Sequence, residues 1–453
     1  MKTGTASLPA REPAQVDFSF KVSSIILILS VGLLVRLFLA TYPGFSNDVA
    51  TFQAWGKDLA AHWPWNFYNE GSFADWTPGY LYVLWLFGLF DKVFTFDADQ
   101  FNYLLKLPAV AADLASVYLL YKLLEGQKVT VRVGAAAVYA LHPALLIVGS
   151  VWAQVDSLLA FFLLLTVYYF ARGRMVMGTA VYVIGFLTKP QAVAALPFLA
   201  FWVLREQFLQ AQTDLPSVGD PIQRGVELIK RLAARLWRVV AAGFATALAI
   251  ILPFFPDNPW GIFDRMKSAT EVYPYSTFWA YNFWGMLWTR RAQFPQFPKD
   301  DLTYLGLDYR TWGLVLFAIS IVAIIFVFRR ARGPGMLALA TSLSVLAFFV
   351  FLTRMHERYM FPFLLLFLAA AALSRNWFLW ASFAVLSVIH FLNLYYVYSY
   401  YNPNSLRVDS VFNWSGGQDQ IFLFSLLTFL AFPVLLLASA VLTSGRQEEP
   451  EPT

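Results

Sequence analysis

The chain has 453 residues, of which 59% are hydrophobic and 13% charged, and its formal net charge is +5. A soluble globule of this length cannot bury so many apolar residues, so a soluble enzyme is excluded and no nucleic-acid partner is expected. The absence of cysteine excludes disulfides and thiolate metal sites.

The apolar residues fall into about thirteen windows long enough to cross roughly 30 Å of hydrocarbon. The first begins at about Ser23 and the last ends at about Thr443. The windows are too long and too uniformly apolar for barrel strands, so we predict an all-α polytopic membrane protein surrounded by membrane lipid. No small-residue cleavage site follows the first window, which indicates a retained helix.

Lysine and arginine in short loops indicate the cytoplasmic side. The basic turns are residues 122–132, 172–174, 205–238 and 329–332. Assigning them to the cytoplasm places the polar segments 43–78, 256–311 and 399–419 on the outer face. Two windows, 80–96 and 102–121, lie between an outer loop and an inner loop. Two complete crossings would return the chain to the side on which it started, so one of these windows cannot cross completely. We therefore expect about twelve complete crossings, with the window 80–96 crossing only partly.

The predicted organisation has two transmembrane modules joined by a basic linker. The sequence shows no internal repeat of the kind typical of secondary transporters. The linker contains Pro216, Gly219 and Pro221, and its basic residues suit anionic lipid. The parts are a cytoplasmic tail 1–22, a first module 23–204 with the first outer catalytic loop 43–78, the linker 205–238, a second module 239–443, and a tail 444–453.

Ionisable residues concentrate at the predicted outer ends of helices. Asp48 follows the first window, and the spacing of apolar residues over 49–62 predicts a short interfacial helix. A carboxylate at this place is suited to act as a base on lipid-linked substrates. The alternative is a helix N-cap. Asp75 lies in Asp75-Trp76-Thr77-Pro78, just before the next helix. Asp48 and Asp75 could together bind a divalent metal ion, although no metal or other cofactor is favoured.

Two further turns carry charge at membrane depth, where an ionisable group needs a function or a partner. Trp152-Ala153-Gln154-Val155-Asp156 joins two apolar helices, and Lys189-Pro190-Gln191 is an outer turn with a single lysine. A structural ion pair between Lys189 and Asp156 is the alternative to a functional role. Transfer of a group from a phosphate leaving group would use the lysine to neutralise the phosphate.

The densest group is Arg354-Met355-His356-Glu357-Arg358-Tyr359. Arginine presents paired donors to phosphate oxygens, so this motif predicts a phosphate or diphosphate clamp. Snorkelling arginines are the alternative, but they do not explain the histidine and the glutamate. In the outer loop 256–310, tryptophans either anchor the loop at the membrane surface or line a sugar or prenyl-lipid cleft.

These motifs resemble those of GT-C fold glycosyltransferases. Asn47-Asp48 with Trp55 is similar to the Gly-Asp and tryptophan of the first outer loop in the endoplasmic-reticulum glucosyltransferases that extend the lipid-linked oligosaccharide. Trp152 to Ser157, Asn282-Phe283-Trp284 and Met355 to Tyr359 resemble bacterial mannosyltransferases related to the second mannosyltransferase of GPI-anchor synthesis. The resemblance spans residues 36–362 and preserves the order of the motifs.

The resemblance implies a GT-C helical bundle of about twelve to thirteen segments in a bacterial plasma membrane, with its active site on the extracytoplasmic face. It implies transfer of a hexose, most simply mannose or glucose, from a polyprenyl-phosphate donor to a glycolipid or glycan acceptor. Asp48 would be the base. The donor phosphate would contact Lys189, His356, Arg358 and Arg354. The acceptor or sugar would contact Trp55, Asp75, Trp76, Gln154, Asp156, Gln191, Asn282 and Glu357.

Three departures from the family pattern leave the sugar and the acceptor open. Asn47 and Ala153 stand where the family has glycine, and Trp76-Thr77 replaces Tyr-Pro. An oligosaccharide ligase or polymerase that uses a diphosphate-linked carrier is the nearest alternative enzyme. The alternative that is not an enzyme is a transporter of lipid-linked glycans.

Overall fold

The structure is a computed structural model that describes residues 13–68, 74–215, 220–289 and 297–445. Helices dominate it, which confirms the predicted all-α polytopic fold. The helices of the first half are α1 (Pro13–Leu39), α2 (Ser46–His62), α3 (Pro78–Phe94), α4 (Ala98–Leu123), α5 (Val129–Ala140), α6 (Pro143–Leu146), α7 (Asp156–Ala171), α8 (Met175–Thr188) and α9 (Leu196–Thr213). Those of the second half are α10 (Pro221–Ile251), α11 (Gly261–Thr270), α12 (Phe283–Trp288), α13 (Tyr309–Phe328), α14 (Gly333–Phe351), α15 (Phe361–Ser374), α16 (Trp377–Tyr401), α17 (Asp409–Ser415) and α18 (Gln418–Gly445).

Short irregular elements connect these helices at the ends of the bundle. They are 3-10 turns at Pro64–Asn66, Pro190–Ala195 and Glu357–Met360, and a π-helix at Ile147–Val151. Within the described residues, the strands β1 (Thr303–Tyr304) and β2 (Leu307–Asp308) form an antiparallel hairpin. Thr303 pairs with Asp308 in this hairpin.

Fewer helices qualify as membrane spans than the twelve to thirteen segments predicted, unless shorter apolar helices are included. In the described part of the chain, eight helices are long and apolar enough to span a membrane, and the bent pair Val129–Ala140 and Pro143–Val151 forms a ninth candidate. Shorter apolar helices lie at Ser23–Leu39, Asp156–Ala171 and Met175–Thr188. Helix α3 has 17 residues and a length of about 26 Å, less than the roughly 30 Å of hydrocarbon. A partial crossing there stays a prediction.

Two predicted segment boundaries are not helix boundaries. Helix α1 begins at Pro13, inside the predicted tail 1–22. Helix α9 ends at Thr213 and α10 begins at Pro221, so most of the predicted linker is helical. The linker residues Pro216 and Gly219, with residues 1–12 and 446–453 of the predicted tails, lie outside the described residues. The division into two modules stays a prediction.

The centre of the bundle is the antiparallel pair α14 and α15. Residues 336–351 of α14 and 361–372 of α15 are all buried, because these helices are apolar on every side and are surrounded by other helices. In contrast, α10 and α13 expose most of their apolar side chains, as expected of helices that face lipid. The polar turn between α14 and α15 is therefore held at the end of the most rigid part of the molecule.

Helices α2 and α3 pack closely at two glycines. A Cβ atom on Gly88 would lie 1.8 Å from the carbonyl oxygen of Gly56, so only glycine permits this approach. Phe52, Trp55 and Tyr80 belong to the apolar cluster between the two helices. This packing fixes α2, which carries Asp48 in its first turn.

A buried ion pair joins the first helices. Arg36 of α1 and Asp113 of α4 are fully buried, and the Arg36 Nε lies 3.1 Å from the Asp113 Oδ2. Arg36 also donates to the carbonyl oxygens of Gly32 and Ala140, and the Tyr139 hydroxyl donates to Asp113 at 3.3 Å. The pair thereby links α1, α4 and α5.

We expect Asp113→Ala to destabilise the protein by about 3–5 kcal/mol, because it leaves the Arg36 charge buried without its partner. Asp409→Ala removes an exposed partner of Arg407 and should change stability by less than about 1 kcal/mol. Thermal unfolding of both variants in detergent micelles measures the difference. Equal unfolding midpoints for the two variants would show that the buried pair contributes no more than the exposed one.

Candidate active site

A cavity of about 660 Å³ lies among the helix ends that the sequence predicts to face outward. Its walls come from the first turn of α2, residues 75–77, Gln154, the turn 189–191, helix α11 and residues 352–359. The structure thus brings together segments that are more than 300 residues apart in sequence. The predicted site residues that line the cavity are Asp48, Trp55, Asp75, Trp76, Gln154, Lys189, Gln191, Arg354, His356 and Arg358.

Asp48 is held by two side chains of the segment that follows the π-helix. The Trp152 Nε1 donates to the Asp48 Oδ2 at 3.3 Å, and the Gln154 Nε2 donates to the same oxygen. The N-cap of α2 is Phe45, so the alternative of Asp48 as an N-cap is wrong. Among the described residues no donor reaches Oδ1, so this oxygen is available to a substrate.

The segment that holds Asp48 is itself tied to the start of α2. The Phe45 N–H donates to the Trp152 carbonyl at 3.1 Å, and the two rings stack with centroids 5.3 Å apart. Ala153 is buried and has a φ of 69°, a left-handed conformation that costs a non-glycine residue about 1–2 kcal/mol. The turn is therefore held by its contacts, and those contacts direct Trp152 and Gln154 toward Asp48.

The predicted convergence of Lys189 and Arg358 is present. The Lys189 Nζ lies 2.7 Å from the Asp156 Oδ1, and the Arg358 Nε lies 3.9 Å from the Asp156 Oδ2. The Arg358 Nη1 also donates to the Glu357 Oε1 at 3.0 Å. The ion pair expected between Lys189 and Asp156 thus exists, and Asp156 joins the two cations that were predicted to contact a phosphate.

Arg354 lines the same cavity, but carboxylates already surround its guanidinium. Its Nε lies 2.6 Å from Asp300, and its Nη1 lies 3.1 Å from Glu271. It also donates to the carbonyl of Thr270. These contacts hold the outer loop against the α14–α15 turn, so a role of Arg354 in phosphate binding stays a prediction.

His356 is packed against aromatic rings. Its ring centroid lies 5.0 Å from that of Tyr273 and 4.9 Å from that of Phe278. Burial lowers the pKa of His356 well below its usual range, and the charges of Arg358 and Lys189 act in the same direction. The imidazole is therefore neutral at pH 7, and it offers a hydrogen bond rather than a positive charge.

Aromatic side chains form the wall beside Asp48. Trp76 lies 5.0 Å from Phe52 and 6.4 Å from Trp55 between ring centroids. Gln191 and Tyr359 also line the cavity. Aromatic faces beside polar groups suit a pyranose ring, which has apolar C–H faces and a polar edge.

Three predicted site residues do not line the cavity. Asp156 and Glu357 lie behind it and contact Lys189 and Arg358, so they position the cations. Asn282 is buried elsewhere, where it caps α12 by accepting from the Gly285 N–H and donates to the Phe349 carbonyl. The predicted contact of Asn282 with the sugar or acceptor is not supported by this placement, because its amide is used within the fold.

The structure also adds residues to the site. Arg265, Lys267, Tyr273 and Arg310 line the cavity from the outer loop. An apolar part of the wall consists of Phe186, Val193, Leu314, Phe348 and Leu352. The spacing of apolar residues in α11 could have indicated an amphipathic helix. It does not show that the side with Arg265 and Lys267 faces the cavity. Among the described residues, no group of three or more histidine, aspartate or glutamate side chains is placed to hold a metal ion.

Burial raises the pKa of Asp75 to about 6, and the Asp48 carboxylate acts in the same direction. The folded protein therefore binds a proton at Asp75 over a pH range in which the unfolded chain, with a pKa of 3.8, has lost it.

Stability contributed by protonated Asp75 is lost as the pH rises from about 4 to about 6. We expect Asp75→Asn to become more stable than the parent over this range, by on the order of 2 kcal/mol at pH 7. Unfolding midpoints of both proteins between pH 4 and 7 measure this, with Asp58→Asn, which lies outside the cavity lining, as the control. A difference that does not change with pH would contradict the raised pKa.

Comparisons with known proteins find similar solved structures but no matching family. No model of a protein family matches the chain, and no curated protein matches it significantly. The structure is similar to the crystal structure of ArnT from Cupriavidus metallidurans bound to undecaprenyl phosphate, with a TM-score of 0.44 and 16% sequence identity. The match covers 93% of this chain and 78% of that chain. At this level of similarity, the chemistry of the site is inferred from its own side chains.

Proposed function

We propose that the protein is a membrane glycosyltransferase. It transfers a single hexose, mannose or glucose, from a polyprenyl-phosphate donor to a hydroxyl group of a glycolipid, glycan or protein acceptor. The supporting observation is that the Asp48 carboxylate lines the same cavity as Lys189 and Arg358. A base for a hydroxyl group and cations for a phosphate leaving group are the two requirements of this reaction. We place the reaction on the extracytoplasmic face of a bacterial plasma membrane.

The donor phosphate binds between Lys189 and Arg358. Both cations are close to Asp156, yet an ammonium group has three N–H donors and a guanidinium has five, so donors remain for phosphate oxygens. The neutral His356 adds a hydrogen bond. The apolar wall formed by Phe186, Val193, Leu314, Phe348 and Leu352 receives the prenyl chain, since this wall continues onto helices that span the membrane.

Transfer requires one bond to form and one to break at the sugar C1. The acceptor oxygen attacks C1 while its proton passes to the free Oδ1 of Asp48. The C1–O bond to phosphate breaks, and the phosphate keeps the electron pair. Lys189 and Arg358 stabilise the additional negative charge that develops on this phosphate. Attack opposite the leaving group inverts the configuration at C1.

The sugar lies against the aromatic wall. Trp55 and Trp76 offer ring faces to the C–H groups of the pyranose, while Asp75 and Gln191 offer polar atoms to its hydroxyl groups. Gln154 donates to the Asp48 carboxylate, so its role is to orient the base. Because each of these groups contacts a different part of the hexose, the wall selects the sugar.

We expect Asp48→Asn to reduce transfer by a factor of about 10²–10⁴, the typical contribution of a general base. Asp58→Asn, which changes a half-buried carboxylate of the same helix outside the cavity lining, should leave the rate unchanged. Transfer is measured with purified protein in lipid, given polyprenyl-phosphate mannose or glucose and extracted membrane glycolipids. Equal turnover by Asp48→Asn and the parent would remove Asp48 from the mechanism.

Arg358→Gln should weaken binding of the donor by about tenfold or more, because a charge-assisted bond to the phosphate is lost. Binding of polyprenyl-phosphate mannose to the purified variants measures this. Normal binding by Arg358→Gln would contradict the phosphate contact. Consumption of a diphosphate-linked glycan, with no product from any monosaccharide donor, would favour the ligase instead.

The donor already carries its phosphate leaving group, so we propose that transfer needs no divalent metal. Asp48 and Asp75 are the alternative metal ligands on this wall. Treatment with a chelator, followed by a transfer assay with and without added Mg²⁺ or Mn²⁺, separates the two possibilities. An unchanged rate agrees with transfer without a metal, whereas a loss restored by one of the ions would assign that ion to the two aspartates.

A further inference from the structure

Helix α11 lies along the cavity between two anchors. Ile262 and Met266 belong to an apolar cluster with Leu187 of α8 and Ile251 of α10. At the other end of the helix, Arg354 donates to the carbonyl of Thr270. The helix is therefore fixed at both ends, and residues 265–267, 269 and 270 form one wall of the cavity.

The cations on this side differ in whether a carboxylate neutralises them. Arg310 lies 3.2 Å from Glu271, and Arg354 is paired with Asp300 and Glu271. Arg265 donates to the carbonyl of Tyr68, and neither Arg265 nor Lys267 forms an ion pair in the described part of the chain. The α11 wall therefore carries two positive charges in excess.

The inner part of the cavity has the opposite balance. Lys189 and Arg358 lie there with Asp48 and Asp75, and Asp156 and Glu357 lie directly behind them, so four carboxyl groups surround two cations. The donor phosphate of the proposed function already requires both of these cations. A second anion entering the cavity would thus be repelled from the inner part and attracted to α11.

The other side of α11 indicates where such an anion comes from. Trp260, just before the helix, and Phe263 within it are exposed and stack with ring centroids 6.1 Å apart. Exposed aromatic side chains beside transmembrane helices favour the membrane interface. Helix α11 therefore lies at the level of lipid headgroups, and a headgroup can reach Arg265 and Lys267 without leaving its bilayer.

We infer that Arg265 and Lys267 form a second anion-binding subsite, which holds a phosphate or carboxylate group of a lipid-anchored acceptor. This inference rests on the proposed function for the identity of the acceptor. The subsite binds the charged group at the mouth of the cavity, while the acceptor hydroxyl extends inward to Asp48. A neutral glycolipid lacks this contact and is a poorer acceptor.

Binding of hexyl phosphate to the protein in a neutral detergent tests the subsite without any transfer. Isothermal titration should show two sites on the parent protein. Arg358→Gln should weaken the inner site, and the double variant Arg265→Gln/Lys267→Gln should weaken the α11 site, each by at least about tenfold. Lys299→Gln is the matched control, because it removes an exposed charge of the same loop outside the cavity lining. If the double variant and the parent protein give the same binding isotherm, the proposed subsite is wrong.

Transfer to separated acceptors tests the source of the anion. Membrane glycolipids are divided by anion exchange into neutral and anionic fractions and offered with a fixed donor in phosphatidylcholine nanodiscs. Lys267→Gln should raise the KM for anionic acceptors about tenfold and leave kcat and the donor KM within twofold, while Lys299→Gln changes none of them. Equal KM values of Lys267→Gln and the parent, or an equal increase for neutral acceptors, would overturn the assignment to the acceptor.

The two proposals fail in different ways. If no fraction accepts a hexose from any donor, the proposed function fails, yet the hexyl phosphate titration still tests the subsite. If transfer proceeds and only the Arg358→Gln variant loses phosphate binding, the proposed function stands and the α11 subsite is wrong. If the double variant raises the donor KM instead of the acceptor KM, the α11 cations bind the donor phosphate and the inference is wrong.

Discussion

The ion pair between Lys189 and Asp156 is the interaction on which the site depends. Both side chains are buried at the ends of apolar helices, where an unpaired charge costs several kcal/mol. Loss of Asp156 would leave the Lys189 charge without its nearest carboxylate, so the pair holds α7 and α8 together at this point. Arg358, 3.9 Å from the same carboxylate, joins the α14–α15 turn to them. Three helix ends thereby take fixed positions around one carboxylate.

Asp48 reaches this centre by a different route. Close packing of α2 on α3 at Gly56 and Gly88 fixes the helix, and hydrogen bonds from Trp152 and Gln154 fix the side chain. The latter two residues lie just before Asp156 in the sequence. The turn 152–156 thus holds Asp48, the proposed base, and carries Asp156, which contacts the two cations. Both carboxylates are therefore positioned by the same turn.

Three residues that the sequence selected, Asp48, Lys189 and Arg358, line one cavity in the structure, and their selection had a physical reason. Asp48, Lys189 and Arg358 are charged residues at the ends of apolar windows, where solvation cannot explain their presence. The same reasoning could not find Arg265 or Lys267, since charges in a polar loop are ordinary. Nor could it place Asn282, because a helix cap and a sugar ligand both use asparagine, and only the fold shows that its amide bonds within the protein.

The distribution of charge along the cavity also bears on how the two proposed lipid substrates would share it. Carboxylates exceed cations around Asp156, whereas cations exceed carboxylates along α11. A phosphate at the inner cations would bring further negative charge into the part of the cavity that Asp48 lines. The same phosphate would repel a second anion at short range, so an anionic acceptor is stable only when its charged group remains at α11. Binding of the two anions at different walls of the cavity would let the proposed site hold both substrates at once.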